Sequence, residues 1–225
     1  YETTQAVAKV ELIGTEQRDN INVSDLGGAH DIKALGGHDV ITATQFDDVI
    51  DGGLGEDTIN AGAGDDEIIN TAFDSHYDSI DGGEGFDTLK GLETNNTFTV
   101  RSVKNIEQIE GNGGFDIIAG NKYRQNFDFS NTNLVSIEMI DLAGGHDIYK
   151  GADANENISG GTGDDQIDGG AGEDTVYFAY SFGEYQISTN SKGQLVVKHA
   201  TEGKDLLSNV EFLQFADQLV STQSL

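Results

Sequence analysis

The sequence predicts an all-β fold, a parallel solenoid, on three observations. An acid returns every nine residues with an apolar residue two places after it, 30 glycines are spread through the chain, and proline is absent. A fixed short period is the signature of stacked repeats, because one unit cannot bury its apolar face alone. Helix-type periodicity is scarce, so the glycines have positional meaning in turns.

The elements follow in chain order. Gly14 to Ile21 matches the frame of Gly151 to Ile158, which starts the solenoid near Val10. In the first array Asp39/Ile41, Asp48/Ile50, Asp57/Ile59 and Asp66/Ile68 fall nine apart, and Asp78/Ile80 and Asp87/Leu89 continue the frame. Asp116/Ile118 is an isolated copy, and Asp147/Tyr149, Glu156/Ile158, Asp165/Ile167 and Asp174/Val176 form a second array. Between the arrays a 31-residue repeat relates Ile106, Glu107, Ile109 and Asp116 to Ile137, Glu138, Ile140 and Asp147, read as longer coils of the same solenoid. The apolar-Glu-x-apolar theme, at Glu11, Glu107, Glu138 and Glu211, reads as a strand with its Glu facing water. A row of glutamates binding cations or a ligand is the alternative. After Val176 the glycine frame stops and Tyr177, Phe178, Tyr180, Phe182 and Tyr185 crowd together. An open solenoid end invites edge pairing, so this segment is expected to cap it. A platform for stacking sugar rings is the competing use. The expected division is a roll over 1–176, with regular nonads about 34–91 and 142–176 and longer coils about 92–141, followed by a β cap over 177–225.

Four turns carry a complete glycine signature, Gly52-Gly53-Leu54-Gly55-Glu56-Asp57 and the equivalents ending at Asp87, Asp165 and Asp174. Glycine permits positive φ and close backbone approach, which crowds carbonyl oxygens around one carboxylate. Such a turn is an oxygen cage, and hard cations with six to eight oxygen ligands suit it. Charge agrees: 12 Lys and Arg against 40 Asp and Glu leave a net charge of −28, which opposes compaction unless cations neutralise it. Leu, Ile, Val and Phe make up about a quarter of the residues, close to the disordered range for a chain so charged, so folding is expected to need outside help.

This G-G-x-G-x-D-x-U-x pattern resembles the RTX, or hemolysin-type calcium-binding, repeat family. The resemblance implies a parallel β-roll in which two nonads make one 18-residue coil and calcium ions sit between positions i and i+18. On that basis Asp39 would share an ion with Asp57, Asp48 with Asp66, Asp147 with Asp165, and Glu156 with Asp174. Asp78, Asp87 and Asp116 belong to the same set. The turn glycines Gly53, Gly55, Gly62, Gly64, Gly83, Gly85, Gly161, Gly163, Gly170 and Gly172 would supply the backbone. Several turns depart from the pattern, Thr44-Gln45-Phe46 before Asp48, Phe73 to Tyr77 before Asp78, and Glu156 in place of Asp; a solvated loop is the alternative there. The 12-residue gap from Asp66 to Asp78 is expected to bulge one turn.

Other chemistry finds little support. Without cysteine there is no disulfide, thiolate metal site or cysteine nucleophile. His30, His38 and His146 each precede an Asp and read as exposed turn residues, not zinc ligands. The first acids of Asp65-Asp66 and Asp164-Asp165 read as solvent-facing, and no nucleophile elbow, phosphate loop or basic clamp is present. The charge makes nucleic acid and anionic membranes poor partners. No run reaches the length of a membrane helix, and the first residues, which lack an initiator Met and a signal-like segment, read as those of an excised piece. The expected product is a monomeric, non-catalytic calcium-binding module of a secreted or cell-surface protein. The RTX resemblance implies passage through a type I secretion channel and folding outside. Extracellular polysaccharide or a cell surface is the further partner expected, and the alternatives are an accessory module of a secreted polysaccharide-modifying enzyme or hydrolase, or a carbohydrate-binding module.

Overall fold

The computed structural model describes residues 9–70, 77–92 and 95–225. Phe73 to His76, in the irregular turn before Asp78, lie outside the described residues, and so does most of the expected bulge.

The chain first winds between two stacks. It runs through β1 (Val10–Thr15), β2 (Asn20–Asn22), β3 (His30–Leu35), β4 (Val40–Thr42), β5 (Val49–Asp51), β6 (Thr58–Ala63), β7 (Glu67–Asn70), β8 (Asp78–Glu84), β9 (Thr88–Gly91), β10 (Thr97–Lys104), β11 (Gln108–Glu110) and β12 (Ile117–Ala119). Odd-numbered strands form one sheet and even-numbered strands the other, all parallel. The register follows the apolar positions: Ile41 pairs with Ile59 and Ile50 with Ile68, one 18-residue coil on. Each inward residue meets its equivalent in the next coil, so a column of isoleucines fills the interior, with Ile32, Ile50 and Ile68 fully buried.

Past β12 the winding changes partner. β13 (Asn126–Asp128) opens a third sheet, β14 (Asn133–Val135) closes the first, and β15 (Met139–Asp141) stays in the second. The second array then alternates between the second and third sheets through β16 (Gly144–Gly145), β17 (Ile148–Lys150), β18 (Asn157–Ser159), β19 (Thr162–Gly163), β20 (Gln166–Asp168) and β21 (Thr175–Tyr177), with β16 and β19 paired in the turns. The 31-residue repeat is therefore not a coil. Ile109 pairs with Leu134 and Ile118 with Ile140, coils of 25 and 22 residues, while the repeat-related Ile109 and Ile140 lie in different sheets. The interval amounts to about one and a half turns, which is how it moves the second array to a new face. The recorded register irregularity lies between β8 and β10, at Val100 and Ser102.

The C-terminal part contains β22 (Gln186–Thr189), β23 (Leu195–His199), β24 (Gly203–Ser208), β25 (Phe212–Gln214) and β26 (Leu219–Ser221). β24 and β25 still add in parallel to β20 and β21, while β22, β23 and β26 are antiparallel. The described residues contain two short 3-10 turns and no α-helix.

Candidate metal centres

Among the described turns, the carboxylates of Asp57, Asp87, Asp116, Glu156, Asp165 and Asp174 fold back under the turn that leads into their strand. Asp39, Asp48, Asp57, Asp66, Asp87, Asp116, Asp147, Asp165, Asp174 and Glu156 are all buried; Asp78 is half-buried. The carboxylate of Asp57 lies beneath Gly52, where a Cβ would sit 2.8 Å from Oδ2, and Asp165 lies the same way beneath Gly160. The first glycine is thus required by its own acid and, at Gly82 and Gly169, also by the next coil, where a Cβ would lie 2.0 Å from the Asn105 carbonyl oxygen and 2.2 Å from that of Asn209. The glycines at the second and fourth positions are required by the neighbouring coil: Gly55 has φ +135°, and a Cβ there would lie 1.5 Å from the carbonyl oxygen of Gly37. Gly53, Gly62, Gly64, Gly83, Gly85, Gly161, Gly163, Gly170 and Gly172 share the positive φ.

Stacking the turns this closely orders the carboxylates into ladders. The amide N–H of Asp39 donates to Oδ1 of Asp57 at 2.8 Å and that of Asp48 to Asp66 at 2.7 Å. Asp147 donates to Asp165 at 2.8 Å and Glu156 to Asp174 at 2.9 Å. All four pairs expected to share an ion are thereby brought into contact. Hydrogen bonds to charged acceptors contribute about 1.5–3 kcal/mol each, but they use one carboxylate oxygen. The Oδ2 atoms of Asp39, Asp66, Asp87, Asp116, Asp147, Asp165 and Asp174 are buried with no hydrogen-bond partner.

A buried anionic oxygen without a partner is costly unless something positive meets it. Burial raises the proton affinity accordingly: Asp66 and Glu156 are pushed up to about 7, and Asp147, Asp165 and Asp174 to about 6. Asp39 and Asp87 also shift up, burial again being the main cause. No three His, Asp or Glu side chains converge among the described residues. The donor set is instead one or two carboxylates plus turn carbonyls. All are hard oxygens, which fits calcium and does not fit a soft metal.

The degenerate turns differ in a specific way. At Asp48 the hydroxyl and N–H of Thr44 both donate to Oδ2 at 2.8 Å, filling the oxygen left open elsewhere. At Glu156 the N–H of Ala152 donates to Oε1 at 2.9 Å.

Several acids that the frame assigned to solvent belong to the ladders. Glu107, Glu138 and Glu211 accept the N–H of Asp87, Asp116 and Asp174 through Oε2, at 2.9, 2.6 and 2.9 Å. Their motif is the acid-x-apolar frame with Glu in place of Asp, a likeness hidden by the missing glycines. Glu11 does face out, paired with Lys33 at 3.0 Å. The residue before the acid is exposed, as expected at His38, Asp65, His146 and Asp164, and it also accepts a hydrogen bond from the next coil. The side chains of Asp65 and Asp164 accept the N–H of Phe86 and Lys204, and Nδ1 of His38 and His146 accepts that of Glu56 and Asp164, forming a second ladder near the surface. His30 is no turn residue. It is buried, nine positions before Asp39, with its N–H on Oδ1 of Asp48 at 2.6 Å.

The aromatic cluster turns inward. Phe178 stacks on Phe215 with ring centroids 5.2 Å apart, Tyr185 and Phe182 close on the same ring, and Tyr180 stacks on His199. Phe178 and Tyr185 are buried, Tyr180 and Phe182 half-buried, and Tyr177 is exposed. Among the described residues no helix is long and apolar enough to cross a membrane.

A family model for the RTX calcium-binding nonapeptide repeat matches the chain in four copies, over residues 34–68, 78–100 and 150–179. A search of curated proteins finds no match. No catalytic family accompanies the repeat match. The nine-residue period, the stacked glycine turns and this match together show that the chain carries RTX-type calcium-binding nonapeptide repeats wound into a parallel β-roll.

Proposed function

We propose that the module is non-catalytic and that calcium binding in the turns drives its folding outside the cell. The observation that carries this is the set of buried, partnerless carboxylate oxygens that recurs along both arrays. Ions would lie between Asp39 and Asp57, Asp48 and Asp66, Asp147 and Asp165, and Glu156 and Asp174, with turn carbonyls completing the shells. Thr44 makes the Asp48 site a weak one. An unfolded chain has no such shell, so binding free energy becomes folding free energy. Affinities near 10⁻⁴ to 10⁻³ M, as in extracellular modules, would keep the chain loose in a cell and fold it outside.

This behaviour suits a secreted or cell-surface parent of adhesin type exported by a type I channel, with residues 1–176 as the roll and 177–225 as its cap. An accessory module of a secreted polysaccharide-modifying enzyme or hydrolase fits the same residues. A carbohydrate-binding module is less well supported, because Phe178, Phe182 and Tyr185 pack on Phe215 and leave Tyr177 as the exposed ring of the group. The deciding experiment is circular dichroism during a calcium titration. Strand signal should appear as calcium reaches the millimolar range and vanish with chelator; a chelated chain that stays fully folded would refute the proposal.

A further inference from the structure

The C-terminal segment holds a repeat that its spacing conceals. Gly203-Lys204-Asp205-Leu206-Leu207-Ser208 reads G-x-D-x-U-x, 40 residues after Gly163-Asp164-Asp165-Gln166-Ile167-Asp168, with the β22–β23 hairpin inserted between them. The contacts across this interval repeat those of the regular Asp147–Asp165 pair one for one. There, the N–H of Asp147 donates to Asp165 Oδ1 at 2.8 Å, that of Gln166 to the Asp147 carbonyl at 2.9 Å, and that of Asp164 to the His146 ring at 2.8 Å. At the junction, Asp165 donates to Asp205 Oδ1 at 3.0 Å, Leu206 to the Asp165 carbonyl at 2.8 Å, and Lys204 to Asp164 Oδ1 at 2.9 Å. Gly203 has φ +101°, and a Cβ there would lie 1.9 Å from the Gly163 carbonyl oxygen, as one on Gly163 would lie 1.5 Å from that of Gly145.

We infer that Asp165 and Asp205 form a further divalent-cation site, which clamps the β23–β24 hairpin onto the last turn of the second array. The inference rests on the calcium reading of the regular turns. Two features point to a cation. Asp165 is 1% exposed and its Oδ2 has no partner, and Asp205, 4% exposed, is faced by Asp165, Glu202 and Asp164. Among the described residues no Lys or Arg forms an ion pair with Asp165 or Asp205. The Glu202 carboxylate is committed elsewhere, accepting the N–H of Ala179 and the hydroxyl of Tyr185, so the site's charge rests on the two aspartates and the turn carbonyls beside them.

The test is anomalous diffraction from crystals of the whole chain grown in calcium, combined with ion counting by native mass spectrometry. A peak bounded by Asp165 and Asp205 is expected beside those of the regular pairs. Asp205→Asn keeps an oxygen to accept the Asp165 N–H but loses the charge, so it should bind one ion fewer with the other peaks unchanged. Regular pairs loaded and this one empty in the wild-type chain would overturn the inference, whether or not the variant folds. So would an unchanged ion count in a folded variant. Crystals with no peak at any pair would instead refute the calcium reading of the roll as a whole.

Discussion

In the arrays the seat beneath a turn's first glycine holds a carboxylate, Asp57 under Gly52 or Asp165 under Gly160; in the linking coils it twice holds an amide, Asn96 under Gly91 and Gln125 under Gly120. The apolar residue two places on changes with it. In the arrays that residue is mostly isoleucine, with Leu89, Tyr149 and Val176 as exceptions, whereas Phe98 and Phe127 follow the two amides, and Phe129 stacks on Phe127 at 5.7 Å. The same backbone frame therefore meets two demands. Where it buries charge it needs cations; where it buries Asn96 the chain meets the amide itself, Nδ2 donating to the Gly111 carbonyl at 2.6 Å, while Oε1 of Gln125 stays buried without a hydrogen-bond partner, and both amide seats carry phenylalanine two places on. Dependence on calcium should be regional.

The most severe way to challenge that contrast is to remove calcium. Hydrogen exchange in chelator should show amides of 34–68 and 150–176 losing nearly all protection, while those around Phe98, Ile118 and Phe127 lose least. Uniform loss would mean that the amide-seated coils have no stability of their own.

Acid should partly replace calcium in the arrays. Carboxylates held near 6 to 7 in the roll, against about 4 in an unfolded chain, bind protons more tightly when folded. Their contribution is fully present below the unfolded value and is lost as pH rises through 6 to 7. Moving the calcium-free chain from pH 8 to pH 5 should thus restore part of the strand signal. With limiting calcium the same shift should weaken binding, since protons and calcium compete for the same oxygens. A calcium-free chain whose signal falls toward pH 5 would contradict the sign.

Truncating the linking core acts on the opposite region. Phe127→Ala should cost about 3–5 kcal/mol in urea unfolding at saturating calcium. It should also erase the residual protection of the linking coils in chelator, leaving the ion count of the arrays unchanged.

What could be read from the chain follows the same division. The nine-residue frame exposed the strands, the inward Ile column and the stacked acid pairs, because each nonad repeats its own chemistry locally. The ladders were legible only as far as glycine marked them. Glu107, Glu138 and Glu211 do the work of the frame's acid without its glycines, and Asp205 sits 40 residues from its partner because a hairpin intervenes. The 31-residue likeness misled for a topological reason: two segments can share a motif because they fill equivalent seats on different sheets. His30 was misplaced because the residue after it is also an acid, which made the frame look shifted by one.

The smallest expected effect is also the most specific to the comparison. Asn96→Asp places a charge in an amide seat without changing its shape. The N–H of Asn96 donates to Asp116 Oδ1 at 2.5 Å and its side-chain Nδ2 donates to the same atom at 2.8 Å. An aspartate would lose the second bond and set two buried carboxylates against each other. Without calcium the variant should be destabilised by about 1–3 kcal/mol, the usual cost of leaving such groups unsatisfied. With calcium the outcome separates two views of the seat. If the charge of the seat governs demand for a cation, the variant should recover at saturating calcium and its midpoint should become more calcium-dependent than that of the parent chain. If the glycine turn is what matters, the loss should persist at every calcium concentration, because the turn leading to residue 96 lacks the G-G-x-G sequence. Urea unfolding at a series of calcium concentrations decides between them.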